Sequence, residues 1–127
     1  TGQAKLTIRS VVEGLTQQQL ELIDKVTVLG PSAQGFEIET PRYRIFTHIL
    51  EEIALAGGRI VEIAGNDDIM LTVIGPLSAS HSGALIQLRR QGYGDQRALL
   101  SVDITELSET LRTIKDGPWR LEHVHDY

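Results

Sequence analysis

The chain contains no cysteine, and that absence removes several chemistries at once. A disulfide framework, a zinc-thiolate site, an iron–sulfur cluster and a thiol nucleophile all require residues it does not have. Long apolar runs are missing as well. None approaches the roughly 18 residues of a membrane-spanning helix, and the longest are interrupted by charge or glycine, so no membrane insertion is expected. Aromatic residues make up only 5% of the chain, and 12 Lys and Arg face 17 Asp and Glu, a formal net charge of −5. Phosphate neutralisation needs a basic stripe and base stacking needs aromatic rings, so nucleic acid is not an expected partner. No internal repeat, low-complexity block or linker is evident.

What is present suits one globular domain. A chain of 127 residues buries on the order of two-thirds of its unfolded surface, enough for a core without covalent props. Lys5 to Val12 alternates with Leu6, Ile8 and Val12 on one face, the period of a strand. Thr16 and Gln19 have capping-box spacing, and Leu20, Ile23 and Val26 continue at helical intervals. Phe36-Glu37-Ile38-Glu39 alternates again. Thr40-Pro41 then resembles an N-cap followed by a first-turn proline, which predicts a helix over Pro41–Ala56 with Phe46, Ile49, Leu50 and Ile53 inward, stopping at Gly57-Gly58.

Arg59 to Ala64 and Ile69 to Ile74 are β-rich runs around Gly65-Asn66-Asp67-Asp68, the pattern of a hairpin. The serines at 78, 80 and 82 offer caps for a helix carrying Ala84, Leu85 and Leu88 to a stop at Gly92-Tyr93-Gly94. Ala98 to Ile104 alternates as a strand. Thr105 caps a helix with Leu107, Leu111 and Ile114 inward, Gly117-Pro118 closes it, and the tail from Trp119 forms a last strand.

Between Phe36 and Ile104 this order is the βαββαβ split unit of ferredoxin-like folds. The expected fold is therefore α+β, a ferredoxin-like core over about 36–104 with an antiparallel sheet, helices on one face, and extra strand and helix elements at both ends. Such a unit leaves a sheet face or edges to cover, so a homo-oligomer is expected. In this pattern the chain resembles the ACT-like small regulatory domains. That resemblance implies binding of amino acids or related small ligands near the first helix and at dimer interfaces.

Four residue groups have chemistry to weigh. His123 and His125 lie two apart, on one face of a strand, and could approach one metal, with Asp126 beside them and His48 or His81 as third ligand; no ligand of fixed spacing completes the set, and no metal or cofactor is assigned. Ser78, Ser80 and Ser82 flank His81, but no nucleophile elbow surrounds them and no catalytic residue is assigned. Gly65 to Asp68 and Gly92-Tyr93-Gly94-Asp95 have turn and helix-stop chemistry.

The fourth group is the start of the Pro41–Ala56 helix. Cations are disfavoured there by about 0.3–1 kcal/mol, and an anion reverses the sign of that cost. Arg42, Tyr43, Arg44 and His48 are accordingly the candidate ligand-binding residues, with the free amides of Arg42 and Tyr43 facing a carboxylate or phosphate. The sequence favours a non-catalytic, self-associating ligand-binding or regulatory module that recognises a small anionic metabolite. The alternatives are an interaction or assembly domain without small ligand and, more distantly, a metal-dependent enzyme using the terminal histidines.

Overall fold

In the computed structural model, which describes residues 6–125, the chain is α+β, with two antiparallel four-stranded sheets and three α-helices. The first half runs β1 (Thr7–Glu13), α1 (Gln17–Glu21), β2 (Thr27–Ser32), β3 (Gly35–Pro41), α2 (Arg44–Leu55) and β4 (Arg59–Ile63). The second runs β5 (Asp68–Pro76), β6 (Ile86–Arg90), β7 (Asp95–Asp103), a 3-10 turn over Ile104–Glu106, α3 (Leu107–Asp116) and β8 (Arg120–His125). The sheet orders are β2-β3-β1-β4 and β6-β7-β5-β8.

Those two orders are the same order, and the chain is built twice. Ile8 and Val12 in β1, and Gly14 just after it, stand where Ile69, Val73 and Gly75 stand in β5, and Leu50, Ile53 and Arg59 where Leu111, Ile114 and Arg120 stand. A bulge interrupts β1·β4 pairing between Val11 and Val12 and β5·β8 pairing between Thr72 and Val73, at the same point of each half. The repeat escapes the sequence because the identities are sparse and the first helix has no counterpart, its place being taken by the loop from 77 to 85.

This arrangement corrects several expectations. The unit expected over about 36–104 is not a unit: its strands divide between the two sheets. Arg59–Ile63 and Asp68–Pro76 form strands but not a hairpin, because each pairs with a central strand of its own half; an isolated bridge, Ile63 to Asn66, closes the turn that leaves β4. The helix expected around Ala84, Leu85 and Leu88 is β6, paired with β7 along its length. Its apolar residues fit a helical stripe, but it is an edge strand, open on its outer side, and shows no alternation of burial. Helical spacing through Ile23 and Val26 is likewise overruled: α1 ends at Glu21, and Thr27–Ser32 forms an edge strand that tolerates Pro31. Asp103, not Thr105, caps the turn before α3, its carboxylate accepting from Thr105 N at 2.9 Å.

One core joins the halves. Phe46, Leu50 and Ile53 of α2 and Leu107, Leu111 and Ile114 of α3 are buried in the same cluster as the inward residues of both sheets. The helices pack on each other, and both also pack on β4 and β8. As a result each helix covers the edge of the opposite sheet. The Ser108 hydroxyl of α3 accepts from Ile60 N of β4 at 2.8 Å, and the Thr47 hydroxyl of α2 accepts from Val124 N of β8 at 2.9 Å.

Candidate functional site

The helix start expected at Thr40-Pro41 lies one turn later. Thr40 and Pro41 belong to β3, paired with Ile8 and Thr7, because β1 continues far enough to hold them in the sheet. Arg42 is consequently committed to β1: its amide donates to Leu6 O at 3.0 Å and its Nε to Thr7 O at 2.9 Å. The Arg42 amide is therefore not free to face an anion as expected, and the guanidinium is tied through Nε to β1. Tyr43 precedes α2 at φ 70° and ψ −137°, with its ring exposed. That backbone region is close to glycine-only, so the chain holds about 1–3 kcal/mol of strain at this corner.

Arg44 and His48, one turn apart on α2, do come together. With Thr47 and Glu51 they form one wall of a cleft of about 420 Å³ whose other wall is Arg120, Leu121 and Glu122 of β8. The site therefore lies between the two halves, with its second wall from the far end of the chain. His48 Nε2 lies 2.9 Å from Glu52 Oε1. On the far side of Arg44 and His48 a second recess, about 410 Å³, is lined by Asp24, Lys25, Ile45 and Glu52.

The internal repeat explains why this cleft, lined by two arginines and two glutamates, contains an arginine without a partner. In the first half, Arg59 opens β4 and pairs with Glu13 at 2.6 Å, directly across from it in β1. The equivalent Arg120 opens β8 opposite Ile74. The acid has become an isoleucine, and Arg120 makes no hydrogen bond or ion pair with a described residue. Glu122 beside it is spoken for: Arg97 holds both its oxygens, at 2.7 and 2.6 Å. That fork, opposed by partial burial and helped by the Thr72 hydroxyl, keeps the Glu122 carboxyl below the ordinary range. Arg44 is also without a hydrogen bond or ion pair among the described residues, and it sits at the positive end of the α2 dipole.

The matching place in the other half is filled. Arg112 of α3, equivalent to Glu51, donates through Nη1 to Ala54 O at 2.8 Å and Gly58 O at 3.2 Å, closing the C-terminal turn of α2. Of the two equivalent places, one is occupied by the protein's own arginine and the other is open with two uncommitted guanidinium groups. No local motif marks Arg120, because only the repeat shows that its partner is gone.

The remaining candidates separate. His123 and His125 share a face, their rings 4.5 Å apart and nearly perpendicular, opposite Thr72 and Met70. Asp126 lies outside the described residues, and among the described residues no group of three or more His, Asp or Glu could hold a metal ion. His81 packs edge-on against Trp119 at 5.8 Å, and its Nδ1 accepts from Gly83 N rather than from a serine. Gly92-Tyr93-Gly94 is the turn between β6 and β7, not a helix stop, with Arg90 stacked 4.1 Å above the Tyr93 ring. No helix among the described residues is long and apolar enough to cross a membrane. Comparison of the chain with protein-family models, with curated proteins and with solved structures finds no match in any of the three.

Proposed function

We propose that the protein is a non-catalytic ligand-binding or regulatory module that takes a small anionic metabolite in the cleft between α2 and β8. In this reading the first half is a ferredoxin-like split unit, related in kind to the ACT-like regulatory domains, the second half repeats it without the first helix, and the ligand sits where the two halves meet. Support comes chiefly from one observation: Arg44 and Arg120 approach the same cleft from different halves, and neither makes a hydrogen bond or ion pair with a described residue, while of the two glutamates that share the cleft Glu122 is already held by Arg97. Guanidinium groups grip carboxylate or phosphate through two parallel hydrogen bonds, a geometry that lysine does not reproduce. Leu121 adds an apolar wall and His48 a third polar group. An anion there also relieves the unfavourable placement of Arg44 at a helix N-terminus.

A thermal-shift screen of amino acids, dicarboxylates and nucleotides tests the proposal. A ligand at 100 times its Kd adds about 2.7 kcal/mol of apparent stability. Anionic compounds are expected to raise the melting temperature and neutral analogues are not; a screen in which no anion acts removes the ligand reading. It would leave the second reading, an assembly module without small ligand, for which the supporting observation is the bare apolar edge of the second sheet.

A further inference from the structure

Four strand edges exist in the two sheets, and three are dealt with. The β4 and β8 edges are covered by α3 and α2, whose hydroxyls cap Ile60 N and Val124 N. The β2 edge carries Gly30 and Pro31 and a bulge between Val28 and Gly30, devices that make an edge a poor template. The β6 edge has none of these. It is a regular strand without proline or bulge, and Leu85, Ile86 and Leu88 are 62%, 50% and 61% exposed.

We propose that β6 is a self-association edge, pairing antiparallel with β6 of a second copy about a two-fold axis at Gln87, so that two four-stranded sheets join into one. The inference rests on the self-association within the assembly reading, and is independent of the anion cleft.

Three properties of the strand favour a second copy as occupant. In an antiparallel pair, directly opposite residues share a face. With the axis at Gln87, Ile86 meets Leu88 of the partner subunit and Leu88 meets the partner's Ile86, on the sheet face that also carries Leu99, the neighbour of Ile86 in β7. Four exposed aliphatic side chains are thereby buried against one another. On the other face the two Gln87 side chains meet at the axis. Each already donates through Nε2 to Gln96 Oε1 at 3.0 Å, which leaves one N–H and the carbonyl oxygen, the complement needed for a reciprocal amide pair.

Charge agrees with the same register. The chain carries a net −5, so two copies repel in general, and an edge bearing arginine is the favourable side to present. Arg90 is neutralised by Asp95 through two bonds of 2.7 Å. Arg89 falls opposite the partner's Leu85, which sets the two Arg89 charges about 14 Å apart, beyond the roughly 8 Å screening length of physiological salt.

Sedimentation velocity on the full chain, from about 5 to 500 μM, is run for wild type and for Leu88→Lys, whose exposed position leaves the fold intact as checked by circular dichroism. Because the chain has no cysteine, Gln87→Cys is oxidised in parallel with Leu22→Cys, an 85% exposed site in the other half. The expected result is a wild-type dimer weakened at least about tenfold by Leu88→Lys, and a disulfide-linked dimer for Gln87→Cys but not Leu22→Cys, since opposed strand residues lie within disulfide reach. A monomer throughout overturns both this proposal and self-association. A dimer indifferent to Leu88→Lys, or equal cross-linking of the two cysteine variants, overturns this edge while leaving self-association standing elsewhere.

Discussion

Thr47 and Ser108 occupy the same position in α2 and α3, and each buried hydroxyl accepts a backbone N–H from the edge strand of the opposite sheet. The two halves are thus clasped reciprocally, at the point where each sheet would otherwise end in an unsatisfied donor. Removing either hydroxyl leaves a buried amide without a partner, which costs about 1–3 kcal/mol. Thr47→Val, which keeps the volume, and Ser108→Ala are each expected to lower the unfolding free energy by that amount in urea titrations. A loss under about 0.5 kcal/mol in both, the level of a neutral surface change, would show that the clasp is not structural.

Gly75 is held by Trp119. A Cβ at Gly75 would lie 2.5 Å from the indole ring, and its equivalent Gly14 has no such neighbour. Gly75→Ala is expected to cost about 1–3 kcal/mol through overpacking, with a red shift in emission from Trp119, the only tryptophan. Unchanged emission and stability would mean that the ring yields freely.

The parts of the fold visible in the sequence were those specified locally. The Thr16–Gln19 capping box is present with both of its hydrogen bonds, α2 ends beside Gly57, and β1, β3, β7 and α3 lie where alternation or helical spacing puts them. Pairing was not visible, because it depends on which edge a strand reaches rather than on its own composition. Arg59–Ile63 and Asp68–Pro76 look like hairpin arms from their turn, yet each is claimed by its own half. The site divides the same way. Helical spacing puts Arg44 and His48 on one face of α2, the later start of α2 leaves the Arg42 amide bonded to β1 instead of free, and Arg120 emerges only when the acid at Glu13 is seen to correspond to Ile74.

Tyr43 tests the strain at that corner. Its φ of 70° with ψ of −137° suits glycine, and its ring is 62% exposed, so little packing is at stake. Tyr43→Gly is expected to raise stability by up to about 1 kcal/mol, strain relief exceeding the entropy that glycine adds to the unfolded chain. A fall in melting temperature would show that the ring contributes more than the backbone loses.

Acid sensitivity follows from three carboxylates. Hydrogen bonds from Arg90, Thr105 and Arg97 hold Asp95, Asp103 and Glu122 below their ordinary ranges. Lowered folded-state values mean that the unfolded chain binds protons first as pH falls. Their contribution is complete above about pH 5 and is lost as pH drops through about 4 and then through the folded-state values. Urea midpoints are expected to be level from pH 7 to 5 and to decline below, with a shallower decline in Arg97→Gln; a decline that begins near pH 6.5 would point to histidine instead.

The cleft itself is read most directly by amide chemical shifts during titration with a small dicarboxylate such as succinate. Anion binding between the halves predicts shifts concentrated at Arg44, Thr47 and His48 of α2 and at Arg120 and Leu121 of β8, saturating together in one curve. Arg44→Gln and Arg120→Gln should each weaken binding by about tenfold, the usual scale for losing one charge-assisted pair of hydrogen bonds. Shifts that cluster elsewhere, or an affinity unchanged in both variants, would contradict an anion site at this junction.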